Sequence, residues 1–100
     1  MLSKITMFNA KNAGVAIEEG MKIKVAGVGT FADKDKDGHD VTVSVLEAVD
    51  GTPYTTISGT VAKSIDMLAD IIEEQGAVEV EVQKNTSNNG REFYQLRIIG

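Results

Sequence analysis

Apolar and polar residues alternate in several parts of the chain, and this feature most limits what the chain can fold into. In AVEVEVQK, residues 77–84, Val78, Val80 and Val82 alternate with polar side chains. Successive side chains of a β-strand point to opposite faces, so this spacing predicts a strand with one buried face. The same pattern predicts further strands over residues 21–32, 40–48, 54–58 and 91–99.

The phase of the alternation also predicts which side chains face the core. Lys22, Lys24, Tyr54 and Phe93 fall out of phase with the apolar positions of their strands, so they are expected to face outward. The predicted core side chains of the second, third and last strands are Val41, Val43, Val45, Thr55, Ile57, Tyr94, Leu96 and Ile98.

One stretch, TVAKSIDMLADIIEEQG, has helical periodicity instead. Val61, Ile65 and Leu68 recur at the spacing of one face of an α-helix. Thr60 is predicted to cap the N-terminus of this helix, and Gly76 is predicted to end it.

The predicted order of elements is three strands, one helix and two strands. This is the order of the OB-fold, a mainly β, five-stranded Greek-key barrel, here with one α-helix between strands 3 and 4. Gly27 and Gly29 interrupt the first strand and predict a bulge or a bend there. An open antiparallel sheet with one packed helix is the alternative architecture.

The length of the chain, 100 residues, fits one compact domain. Residues 1–100 are therefore interpreted as a single OB-type domain. Residues 1–20 are interpreted as an N-terminal extension or an extra strand. Within them, KITMF at residues 4–8 has the composition of a short strand, and NAKNAG has that of a turn.

The residue types present exclude several classes of function. The chain has no cysteine, which removes disulfides and thiolate metal sites. It has one histidine, His39, which does not suffice for a paired-histidine zinc site, so neither catalysis nor a cofactor is predicted. No apolar run reaches the ~20 residues that span a bilayer. Because no secretion signal is recognisable either, a cytoplasmic protein is expected.

The stretch DKDKDGHD, residues 33–40, resembles the first half of an EF-hand loop. Asp33, Asp35 and Asp37 alternate there with lysines and precede a glycine. The twelfth position of such a loop needs a glutamate, and this chain has Ser44. Strand patterns flank the loop where an EF-hand has helices. The tip of a hairpin is therefore favoured, and weak calcium binding by the three aspartates is the second interpretation.

The formal net charge of -5 argues against nucleic acid unless the basic residues gather on one face. An outward Phe93 needs a reason such as a partner, and arginines share its predicted face. Bases stack on aromatic rings, while lysine and arginine contact phosphates. Alternatively, Phe93 packs into a small second core. The candidate nucleic-acid-binding residues are Lys22, Lys24, Phe31, Tyr54, Arg91, Phe93 and Arg97.

Three stretches of the chain, KITMFNAKN, YTTISGTVAKSIDML and SNNGREFYQLRI, resemble the small OB-fold single-stranded DNA-binding proteins of bacteriophages and prophages. The resemblance implies sequence-tolerant binding of single-stranded DNA during replication or recombination in a bacterial host, without catalysis. Replication proteins and a second copy of the chain are further candidate partners, and no membrane is expected. The alternative is a phage structural or assembly protein that uses its β-barrel, with Phe93 as an anchor, to bind other proteins.

Overall fold

The structure is a computed structural model that describes residues 4–100. It is mainly β, as predicted. Neither of the described helices combines the length and the apolar character that crossing a membrane requires. The elements are α1 (Lys4–Ala13), β1 (Val15–Ala16), β2 (Lys22–Lys34), β3 (Asp40–Ala48), β4 (Pro53–Thr56), α2 (Gly59–Gln75), β5 (Val78–Thr86) and β6 (Glu92–Ile98).

The strands form one curled sheet in the order β1-β4-β3-β2-β5-β6. All neighbours are antiparallel except β1 and β4. The five predicted strands are present as β2 to β6, and the strand β1 adds a sixth. The order β5-β2-β3-β4 is that of a Greek key, in which the fourth strand returns to lie beside the first. Because β4 and β6 do not pair, the sheet is a half-barrel rather than the closed five-stranded barrel expected.

A bulge in β2 produces the curl of the sheet. Residues Lys22 to Val25 pair with β5, whereas Val25 and residues Gly27 to Lys34 pair with β3. The register shifts between Val25 and Gly27, where the glycines predict a bulge. The extra residue inverts the phase of the strand, so Val25 and Val28 both face the main core although they are three residues apart.

The predicted strand over residues 4–8 is wrong, because these residues belong to α1. Their helical spacing places Thr6, Met7 and Ala10 toward the sheet. The Thr6 hydroxyl donates to Glu47 Oε2 on β3 at 2.7 Å. At the end of α1 the backbone of Gly14 approaches the sheet closely: a Cβ there would lie 2.5 Å from the Ala10 carbonyl oxygen and from a side-chain methyl group of β4. This close approach requires glycine.

Helices cover the inner face of the sheet and part of its outer face. The inner face packs on α2 and forms the main core; the outer face of β3 and β4 lies against α1. Adjacent residues of a strand point to opposite faces, yet Val45 and Leu46 are both 0% exposed. The residues of the main core are Ile17, Ile23, Val25, Val28, Leu46, Ala48, Val61, Ile65, Leu68, Val78, Val80 and Val82.

Several predicted orientations on β3 are wrong because α1 was not foreseen. Val43 and Val45 are buried as predicted, but on the outer face. Leu46 and Ala48 take the inner positions. Ser44, which alternation with Val43 and Val45 predicts to face outward, is fully buried.

The predicted orientations on β4 are also wrong. Tyr54 lies opposite Leu46 and packs against the main core, so it does not face outward. Its neighbour Thr55 lies on the outer face opposite Val45. Ile57 lies beyond the end of β4 and is exposed.

On β6, Tyr94 and Leu96 pack against the main core as predicted. Ile98, at the end of the strand, is 46% exposed instead.

Ser58, rather than the predicted Thr60, caps α2. Its hydroxyl oxygen accepts from the Val61 N–H at 3.4 Å, and its hydroxyl donates to the Tyr94 carbonyl on β6 at 3.2 Å. Ser58 therefore joins the end of β4 to β6 where the strands do not pair. At the other end, Gly76 is the C-cap, as predicted; its φ is 87° and its N–H donates to the Ile72 carbonyl at 2.7 Å.

Replacing Ser58 by alanine is expected to lower the free energy of unfolding by about 1–2 kcal/mol, because it removes the helix cap and the bond to β6. Urea denaturation of both proteins measures the difference. Thr60→Ala is the matched control and is expected to change the free energy by less than about 0.5 kcal/mol. Equal effects of the two substitutions would contradict the role of Ser58.

Candidate nucleic-acid interface

The outer face of β2, β5 and β6 brings together four of the seven predicted residues. We call this surface the basic sheet face and define it by Lys22, Lys24, Phe93 and Arg97. Lys22 lies opposite Glu81 of β5, which lies opposite Arg97 of β6. Neighbouring strands are about 4.8 Å apart, so the backbones of Lys22 and Arg97 lie roughly 10 Å apart.

Along β6, the basic sheet face presents cationic, aromatic and amide groups in alternation. Phe93, Gln95 and Arg97 point to the same side, and Arg91 precedes the strand by one residue. At about 3.4 Å per residue, the stretch from Arg91 to Arg97 is roughly 20 Å long. Phe93 is half-buried opposite Asn85, whose Nδ2 donates to Gln95 Oε1 at 2.7 Å. The Phe93 ring therefore lies beside the hydrogen-bonded amides of Asn85 and Gln95. Arg91 and Arg97 lie at the two ends of the stretch.

The cations of the basic sheet face form no ion pair within the part of the chain that the structure describes. Lys22, Lys24 and Arg97 are exposed, whereas Glu79 and Glu81 between them are half-buried. Within residues 4–100, none of these three cations lies within 4.0 Å of a carboxylate oxygen. They are therefore available to the phosphates of a ligand, although the two glutamates reduce the local positive potential.

Two other lysines form salt bridges with carboxylates. Lys34 Nζ lies 2.6 Å from Asp40 Oδ1, and Lys84 Nζ lies 2.8 Å from Glu92 Oε2. The hydrogen bond with Glu92, together with the charge of that carboxylate, raises the pKa of Lys84. Substitutions of Lys34 and Lys84 can therefore serve as controls for substitutions of the cations on the basic sheet face.

The remaining predicted residues lie elsewhere or at the margin. Phe31 is half-buried on the outer face of β2, in a groove that Ala10, Lys11 and Val43 also line. Tyr54 packs against the main core, so the structure brings neither ring to the basic sheet face.

Arg91 is exposed beside the turn between β5 and β6, and its carbonyl accepts from the Ser87 N–H at 2.8 Å. It therefore lies at the margin of the basic sheet face, next to Phe93.

The tip of the hairpin between β2 and β3 does not gather the three aspartates of the candidate calcium site. Asp35 and Asp37 lie together with His39, their ligand atoms within 4.8 Å of one another, and Asp33 stands apart. Asp35 Oδ1 accepts from the backbone N–H groups of Asp37 and His39, both at 2.9 Å. This carboxylate closes the hairpin turn, and calcium binding stays a prediction.

One exposed aromatic residue was missed as a candidate. Phe8 on α1 is 69% exposed, while the other four aromatic side chains are half-buried. Lys4 and Lys11 lie near it on the same helix. The signal that could have found it is the helical spacing of Met7, Ala10 and Gly14.

The chain is similar to known proteins over almost its whole length. Residues 1–99 match the profile of a family described as phage single-stranded DNA-binding protein. The chain is 30% identical to the single-stranded DNA-binding protein of Bacillus phage B103, over 97% of this chain and 87% of that protein. The proteins of the same description from Bacillus phages PZA and phi29 are each 28% identical, over 95% of this chain and 84% of theirs. No solved structure matches the chain.

Proposed function

The chain belongs to the family of phage single-stranded DNA-binding proteins, and from this premise we propose that it binds single-stranded DNA during phage DNA replication, largely independently of sequence. The match over residues 1–99 carries the proposal. The alternative, a phage structural or assembly protein, is not favoured, because all three of these relatives are described as DNA-binding proteins.

The basic sheet face is the proposed contact surface for the DNA. A base stacks on Phe93, and phosphates lie against Lys22, Lys24 and Arg97, with Arg91 extending the contact at the margin. Stacking tolerates any base because every base has a π-face, which accounts for weak dependence on sequence. The amides of Asn85 and Gln95 offer hydrogen bonds to the sugar–phosphate backbone or to base edges.

The distribution of charge makes such a contact compatible with an acidic chain. The acidic residues of α2 and of the β2–β3 hairpin lie outside the basic sheet face. Among residues 4–100, the cations of that face have no competing ion pair, so phosphate contact displaces solution counterions rather than carboxylates of this part of the protein. Binding should therefore weaken steeply with salt.

We further propose that residues 1–100 form a single domain, an open variant of the OB-fold with residues 1–20 as an addition. The Greek-key order of β2 to β5 and the helix between β4 and β5 support this assignment. The bond from Ser58 to Tyr94 crosses the gap where a closed barrel would pair β4 with β6. We also propose that the protein is non-enzymatic and uses no cofactor. It would act in the host cytoplasm, where replication proteins are candidate partners.

Phe93→Ala is expected to weaken binding of a fluorescent oligo-dT roughly 5- to 100-fold, because a stacked base contributes about 1–3 kcal/mol. Titration of wild type and variant at low and at high salt measures the effect. Phe93→Leu separates loss of stacking from loss of side-chain size, because leucine keeps a large apolar side chain but has no aromatic ring. If stacking is the contact, Phe93→Leu should also bind oligo-dT weakly.

Three outcomes would contradict this proposal in whole or in part. Absence of binding by the wild type at low salt would overturn the function itself. Wild-type affinity of both Phe93 variants would remove Phe93 from the site. If Phe93→Ala also changed the sedimentation coefficient of the free protein, Phe93 would instead anchor a subunit interface.

A further inference from the structure

The helix α1 occupies the surface that OB-folds use for nucleic acid. In those folds the second and third strands, which correspond to β3 and β4, bind oligonucleotides on their outer face. Here that face carries Val43 and Val45, which are 9% and 0% exposed beneath α1. Lifting α1 would expose both valines and Ala10 to water, which is unfavourable. A ligand on this side of the protein therefore meets the outward side of α1.

The outward side of α1 carries two large apolar side chains that are mostly exposed. Ile5 is 75% exposed and Phe8 is 69% exposed. The Phe8 carbonyl accepts from Asn12 Nδ2 at 2.9 Å, one turn further along the helix. The Phe8 ring therefore projects from a regular helix with most of its surface open to solvent, so it is accessible for stacking.

Charge indicates what kind of molecule fits this surface. The helix α1 contains two lysines and no acidic residue, whereas the rest of the chain has eight basic and fifteen acidic residues. Lys4 precedes Phe8 by four residues and Lys11 follows it by three, so both are its neighbours on the helix surface. Neither lysine forms an ion pair among residues 4–100. The carboxylates beside α1 include that of Glu47, which accepts from Thr6, and those of Asp66 and Asp33, which line grooves beside the helix.

We propose that the outward side of α1 is a second contact for single-stranded DNA, in which a base stacks on Phe8 and phosphates contact Lys4 and Lys11. This inference rests on the proposed function and adds a separate surface to it. An aromatic ring between two unpaired cations, on an acid-free helix of an acidic protein, is complementary to a polyanion with exposed bases.

Phe8→Ala tests the proposal by affinity, and it should weaken binding of oligo-dT roughly 5- to 100-fold. The variant should fold normally, because Phe8 is largely exposed and alanine favours helices more than phenylalanine does. Ile5→Ala is the matched control: it removes an equally exposed apolar group from the same side of α1, and it should retain wild-type affinity.

Phe8→Trp adds an independent readout, since the chain contains no tryptophan. The emission of the introduced indole should be quenched when oligo-dT binds. Met67→Trp places an indole at a position of α2 that is 71% exposed, and its emission should not change.

The outcomes separate this inference from the proposed function. A wild type that does not bind oligo-dT overturns both. A wild type that binds, with Phe8→Ala binding equally well and Phe8→Trp unquenched, overturns only the contact at α1. If Phe8→Ala and Ile5→Ala both change the sedimentation of the free protein and leave affinity unchanged, the surface binds protein, and the inference is wrong.

Discussion

Replacing Lys22 and Lys24 together by alanine is expected to weaken binding of single-stranded DNA about 25-fold at roughly 0.1 M salt. Each phosphate contact to a single strand adds about 0.7 to the slope of log affinity against log salt. Loss of two contacts should therefore reduce the slope by about 1.4, and the difference between the proteins should vanish on extrapolation to about 1 M salt. Oligo-dT titrations at four or five salt concentrations measure both quantities.

The matched control for this variant is Lys34→Ala combined with Lys84→Ala. It changes the net charge of the chain by the same amount, but it removes two lysines that Asp40 and Glu92 already hold. We expect its slope to stay close to that of the wild type. If both double variants lowered the slope equally, the net charge of the protein, rather than the basic sheet face, would govern the binding.

Leu46→Ala is expected to lower the free energy of unfolding by about 2–5 kcal/mol, because the side chain is fully buried in the main core and leaves a cavity. Val45→Ala, at the adjacent residue, should lower it by about 1.5–3 kcal/mol through lost burial and a smaller cavity. Urea denaturation of each variant measures both values.

The pair tests whether β3 is covered on both of its faces. Val49→Ala is the control, since Val49 is exposed and its replacement should change the free energy by less than about 0.5 kcal/mol. A Val45→Ala variant as stable as Val49→Ala would show that α1 does not cover the outer face in solution. The contact proposed for α1 would then lose its basis, while the basic sheet face would be unaffected.

The elements whose signals are local could be predicted from the amino-acid sequence. Strand alternation in residues 77–84 and helical spacing from Val61 to Leu68 each need only the backbone geometry of one segment. The bulge in β2 is equally local, because it depends on glycines within the strand. The outward positions of Lys22, Lys24 and Phe93 follow from the same alternation, and the strand register then places them on one face.

The tertiary structure alone decided which face of each strand is covered and by what. Alternation shows that Val43 and Val45 share a face, but a strand has two equivalent faces until another element packs on one of them. The segment KITMF has strand-like composition, but it is the start of α1, whose Thr6, Met7 and Ala10 lie on the side that packs on the sheet. Local preference is weak beside burial, so tertiary packing overrides it. For that reason Tyr54 lies against the core and Phe8 on the surface.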